Sequence, residues 1–229
     1  IRSIEEVNVV NGLNIDIIDL KEPKNGPMGM LDFINIKNIV LALRDNKFCG
    51  KISTTFELND GNMSGADIAK IEDLGSVGLD YIKVGVSADG NTCAKLSQFT
   101  ESLRKIKNRV LEDKLILVLM ITDKQSFKFI KNISPGITGK FSGIMIDTLN
   151  KESGSIFDIV NFTELNTIKK FALERKLDFG IAGSLDVSHT KLINQLQPNW
   201  VGYRGGVCLK KRSDPLSRAR LENLINSFC

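Results

Sequence analysis

Apolar residues follow two rhythms along this chain. Short apolar runs bounded by turn residues occur at 15–21, 51–56, 80–86, 115–121, 142–148, 178–182 and 200–203, and such runs read as buried strands. Between them, apolar residues return at helical spacing, as with Phe33, Ile36, Val40 and Leu43 inside 31–46. The same spacing predicts helices over 1–10, 64–74, 92–108, 124–131, 157–176, 187–195 and 215–228. Ser3 and Glu6 occupy the places of a capping box at the first helix, and Gly12 is placed to stop it.

Strands that alternate with helices imply parallel strands joined by helical crossovers. Seven strands and eight helices fit an α/β fold, a TIM (β/α)8 barrel, if one more N-terminal strand is supplied. The chain opens at Ile1 without Met, and that first strand is expected to be missing. The rival, an open doubly wound sheet, normally carries a Gly-rich first turn, and no GxGxxG follows any strand here. At 229 residues without a linker or low-complexity run, 1–229 is expected to form a single barrel domain.

Composition narrows the function. The formal charge is +4, with bases and acids interleaved, so nucleic acid binding is not indicated. Only 7% of residues are aromatic, too few for a base-stacking surface. Cys49, Cys93, Cys208 and Cys229 lack metal-site spacing and read as free thiols of a cytoplasmic protein. His189 is the single histidine, which excludes a multi-histidine metal site and leaves proton transfer to carboxylates, lysines or tyrosines. No apolar run approaches the ~20 residues of a membrane helix.

Candidate chemistry lies at strand ends. Alternation puts Asp19 and Lys21 on one face of the first strand, Lys83 and Asp147 lie at the ends of later ones, and Lys151 follows Asp147 by four. Barrel closure gathers the carboxyl ends of all strands around one cavity. A lysine in a dry pocket beside another cation has its pKa pulled toward ~7–8, which frees the amine to form a Schiff base with a carbonyl compound. Gly183-Ser184 and Gly205-Gly206 follow the last two strands, where barrel enzymes hold phosphate on backbone N–H groups, and Arg204 adds a charge-assisted donor. These features suggest a class I aldolase-like site for a phosphorylated carbonyl compound. Plainer readings stand beside it: one strand-end lysine is more often salt-bridged than catalytic, the glycines can be simple turns, His189 reads as a surface or capping residue, and Cys208 as packing.

The segments Asp16 to Gly26, Asp80 to Gly85, Asp147 with Lys151 and Phe157-Asp158, Ala182 to Ser184 and Val201 to Gly205 closely resemble (5-formylfuran-3-yl)methyl phosphate synthases, in order across nearly the whole chain. The resemblance implies a TIM-barrel lyase that condenses two molecules of glyceraldehyde 3-phosphate into 4-(hydroxymethyl)-2-furancarboxaldehyde phosphate, an early step toward methanofuran-type one-carbon cofactors. It implies Lys21 as the Schiff-base lysine, and Asp19, Lys83, Asp147 and Lys151 in proton transfer and substrate binding. No metal or organic cofactor is implied, the partner is a triose phosphate, and a homo-oligomer is expected. Glu57-Leu58 and Met120-Ile121 depart from the family pattern, which bears on the second substrate's pocket. The alternatives are another Schiff-base aldolase for a phosphorylated aldehyde or ketose, and a non-catalytic sugar-phosphate-binding barrel.

Overall fold

The structure, a computed structural model, describes residues 1–58, 61, 63–106 and 109–228. Cys229 and the expected helix end at Asn108 lie outside the described residues. One parallel sheet runs in strict chain order through β1 (Ile17–Leu20), β2 (Lys51–Glu57), β3 (Tyr81–Ser87), β4 (Leu115–Ile121), β5 (Gly143–Thr148), β6 (Asp178–Ile181) and β7 (Trp200–Val201). Strands that neighbour in sequence also neighbour in space, which is the TIM-barrel arrangement. Beside β1, the backbone of Ile1 donates to Asp19 O and accepts from Lys21 N, the paired bonds of a parallel ladder. Ile1 thus stands where an eighth stave runs.

Alternation along the strands sorts their side chains into two cores. Leu115, Leu117, Leu119 and Ile121 of β4 face the helices, within the large outer cluster. Ile116, Val118 and Met120 face the other way and pack with Met28 and Met145, against Tyr81, Ala182 and Trp200, filling the barrel. Glycines make that interior possible. A Cβ on Gly143 would stand 2.4 Å from the Trp200 ring, and one on Gly85 2.4 Å from Met28. Met28 comes from the loop after β1, which folds inward: Glu22 N donates to Gly29 O at 2.9 Å and Thr55 Oγ1 to the same carbonyl at 3.3 Å.

The helices are α1 (Ile4–Val10), α2 (Phe33–Asp45), α3 (Gly65–Ser76), α4 (Thr92–Leu103), α5 (Ser126–Lys131), α6 (Pro135–Thr138), α7 (Ile156–Ile159), α8 (Phe162–Glu174), α9 (Thr190–Leu196) and α10 (Arg218–Asn226). The helix expected over 157–176 is two helices. Asn161 is extended (φ −78°, ψ 164°) and starts α8 in a capping box with Glu164, a competing signal for a fresh start. The capping box expected from Ser3 and Glu6 does not form, since Ser3 makes no side-chain cap bond.

Glu6 has another task. Its carboxylate is 3% exposed and accepts from Arg204 Nη1 at 2.8 Å and Nη2 at 2.9 Å. Burial by itself would raise this carboxyl, but the guanidinium outweighs it and holds Glu6 below its ordinary value. The two residues are 198 positions apart, so their fork joins the beginning of the sheet to its end. Arg218 reinforces the seam through the carbonyls of Val9 and Asn11. Removing one partner of such a pair strands the other charge. Glu6→Gln is expected to destabilise the fold by roughly 3–5 kcal/mol in urea unfolding at pH 7; a change within ~0.5 kcal/mol would show that the seam does not depend on this pair.

Candidate active site

On β1, Ile18 and Leu20 join the outer core, so Asp19 and the adjoining Lys21 face the barrel interior. On β3, Ile82 and Val84 face outward and Lys83 inward; on β5, Ile144 and Ile146 face outward and Asp147 inward. Pleating alone therefore aims four ionisable groups into one space. Lys151 arrives differently, from the turn after β5, whose reversal brings its amine back onto Asp147 Oδ1 and to 3.2 Å from Thr148 Oγ1.

Two ion pairs form there. Lys83 Nζ lies 2.5 Å from Asp19 Oδ2, while Ser53 Oγ donates to Asp19 Oδ1 at 2.7 Å. Lys151 pairs with Asp147, whose Oδ1 also accepts from Thr148 N at 2.8 Å. Burial would raise the Asp19 carboxyl, but Lys83 and Lys21 reverse this and hold it at about 2, so it stays a carboxylate. Lys151 is lowered, chiefly by burial, against the pull of Asp147.

Lys21 is left over. Among the described residues it makes no ion pair; its amine donates to Pro27 O at 3.5 Å, too long for a strong bond. Burial first, and Lys83 second, lower its amine to about 8, while Asp19 and Asp147 raise it and Lys151 lowers it further. All five strand-end residues expected from the sequence thus share one electrostatic environment.

The phosphate-loop residues divide. Gly183 has φ +114°, and a Cβ there would stand 2.6 Å from Thr148, so only glycine lets the loop after β6 lie against β5. Ser184 Oγ donates to Lys151 O at 3.1 Å. Gly205 and Gly206 open a 3-10 turn after β7, so their N–H groups are not used within that turn. A Cβ on Gly206 would meet Leu185 O at 2.6 Å, which shows how closely the two glycine loops pack. Arg204 is a correction to the sequence expectation of an anion contact: its guanidinium is spent on Glu6 and on the carbonyls of Arg212 and Asp214, at 3.0 and 3.1 Å. His189 caps, its Nδ1 accepting from Asp186 N at 3.2 Å, and Cys208 is fully buried packing.

Arg212 was missed by sequence reasoning. It extends the basic run Lys210-Lys211 in the loop after β7, and that run was the available signal. Its guanidinium donates to Gly26 O at 3.3 Å and is electrostatically coupled to Asp147 and Lys151. Among the described residues no group of three His, Cys, Asp or Glu side chains gathers that would hold a metal ion, and no helix is long and apolar enough to cross a membrane.

A lysine that titrates near 8 when folded and about 10.4 when unfolded binds fewer protons in the folded state between those values. Stability therefore rises with pH across that window. Lys21→Met removes the cost of the buried ammonium and is expected to stabilise the protein by on the order of 2–3 kcal/mol at pH 7, with the gain fading from pH 8 to about 10.4. Urea unfolding at pH 7 and pH 10 measures this, and a destabilised variant at pH 7 contradicts it.

Comparison with solved structures agrees with the fold. Phosphoribosylanthranilate isomerase from Thermotoga maritima superposes with a TM-score of 0.65 at 13% identity, covering 100% of this chain and 94% of that one. A 3-hexulose-6-phosphate synthase gives 0.58 at 12% identity, covering 100% and 96%. Identities this low show shared architecture alone. Sequence relatives are more specific. The (5-formylfuran-3-yl)methyl phosphate synthase of Methanosarcina mazei is 29% identical over 231 residues, covering 96% of this chain and 94% of that protein. The same-named enzyme of Archaeoglobus fulgidus is 24% identical over 233 residues, covering 97% and 94%. The family model described as 4-HFC-P synthase matches residues 1–225, and the chain belongs to that family.

Proposed function

We propose that this protein joins two molecules of glyceraldehyde 3-phosphate into (5-formylfuran-3-yl)methyl phosphate through an imine on Lys21, a step toward methanofuran-type cofactors. The supporting observation is that Lys21, between two lysine–carboxylate pairs, has no ion-pair partner among the described residues. An amine near 8 is partly neutral at physiological pH and so able to attack an aldehyde. Lys83 and Lys151 are each held in place by a carboxylate partner, which suits proton delivery.

Lys21 nitrogen attacks the triose aldehyde, and the carbinolamine hydroxyl leaves as water with a proton from Lys83, giving the imine. Loss of the neighbouring C–H proton produces an enamine, which forms the carbon–carbon bond to the second triose. Elimination of inorganic phosphate, ring closure and dehydration complete the furan, and one water hydrolyses the carbon–nitrogen double bond to free the product aldehyde and regenerate the Lys21 amine. Two trioses thus yield one furan phosphate, one inorganic phosphate and two waters. Asp19, held as a carboxylate, keeps Lys83 oriented and stabilises the iminium as it forms.

Glyceraldehyde 3-phosphate should give one inorganic phosphate per furan aldehyde chromophore formed. Release of neither from folded protein counts against the function, and reversible aldol cleavage without phosphate release indicates a different Schiff-base aldolase. Borohydride added with substrate should place the triose mass on Lys21; labelling on another lysine overturns that assignment. The limb of kcat/KM governed by Lys21 should rise with pH through an apparent pKa near 8, and Lys83→Ala should lower kcat about 10²–10⁴-fold.

A further inference from the structure

Charge around the strand ends does not balance. Among the described residues that interact there, Lys21 when protonated, Lys83, Lys151 and Arg212 bring four positive charges, against two negative ones from Asp19 and Asp147. A partly buried cation without a carboxylate is costly, and proteins keep such a group where an anion will meet it. Lys21 has a covalent task to account for its isolation. Arg212 has none.

The surroundings of Arg212 are built. Its carbonyl is fixed by Arg204 Nε at 3.0 Å, and Arg204 is itself anchored by the Glu6 fork. Its Cβ lies 3.9 Å from the place a Gly205 Cβ would occupy, so the side chain leaves the backbone against the glycine turn. The guanidinium makes no ion pair among the described residues and holds one hydrogen bond, 3.3 Å to the neutral carbonyl of Gly26, long for a charged donor. Four of its five N–H donors are therefore uncommitted among the described residues.

We infer that Arg212 is the residue that recognises phosphate here: leaving the backbone against the Gly205 turn and reaching Gly26 O in the loop after β1, its guanidinium takes the dianionic phosphate of a triose phosphate. A planar fork matches two phosphate oxygens, whereas a lysine offers a point charge. The ester's identity rests on the proposed function; the anion rests on the geometry alone.

Calorimetric titration of the full chain with inorganic phosphate and, separately, with glycerol 3-phosphate tests it. Wild type should bind both, the ester more tightly. Arg212→Met should weaken both about 10- to 100-fold, and Arg212→Lys should recover part of the loss. With glyceraldehyde 3-phosphate, Arg212→Met should raise KM more than it lowers kcat. Wild type that binds neither anion, or Arg212→Met with wild-type affinity, overturns the inference. If neither variant folds, phosphate should slow phenylglyoxal modification of Arg212 in wild type, mapped by peptide mass, and an unchanged rate overturns it. Absence of the Lys21 imine would sink the proposed reaction while leaving anion binding intact. A normal imine with unaltered phosphate affinity in Arg212→Met would sink only the present assignment.

Discussion

Like charges cannot share a dry space unless something separates or neutralises them, and that constraint shapes the mouth of this barrel. Three lysines converge there with two aspartates, and Lys83 and Lys151 consume both. The isolation of Lys21 is thus a result of stoichiometry as much as of position. Each carboxylate has additional donors, Ser53 on Asp19 and the Thr148 N–H on Asp147, which keep the pairs in register. The cost of confining an excess of positive charge is carried by the scaffold, and its result is an amine, Lys21, that holds its proton less tightly than usual.

Much of this was legible in the sequence, for a mechanical reason. Strand pleating has a period of two, so an ionisable residue two positions from another, or flanked by outward Ile and Val, can be assigned a face without coordinates. Asp19, Lys21, Lys83 and Asp147 were readable on that basis, and Lys151 by its closeness to Asp147. All seven strands fall where apolar runs predicted them. Less legible were residues in irregular segments. Arg204 and Arg212 lie eight positions apart in the same loop, and no periodicity reveals that one is committed to Glu6 and the other is not. Pro135 opens a short helix, α6, that no apolar repeat announces, and the Ser3–Glu6 pattern was a true local signal overridden by a distant guanidinium.

The solved neighbours share this architecture at 10–14% identity, so the shape by itself carries little chemical information. What distinguishes this chain is where bulk was removed and where charge was placed. Gly85, Gly143 and Gly180 empty the barrel wall for Met28, Trp200 and Met145, which fill the barrel interior with large apolar groups. An apolar interior keeps the local dielectric low, the condition under which a buried ammonium such as Lys21 loses affinity for its proton.

The Glu6–Arg204 fork also has a bearing on how the molecule is made. A ribosome delivers Glu6 long before its partner, at about 5–20 residues per second, so the first helix waits for most of the chain before its buried carboxylate is neutralised. Until then the nascent sheet has an unfinished edge, and chaperones or neighbouring chains can reach it. Joining of the first helix to the loop after β7 is accordingly a late event of high contact order, and the sequence-distant arginine acts as its latch.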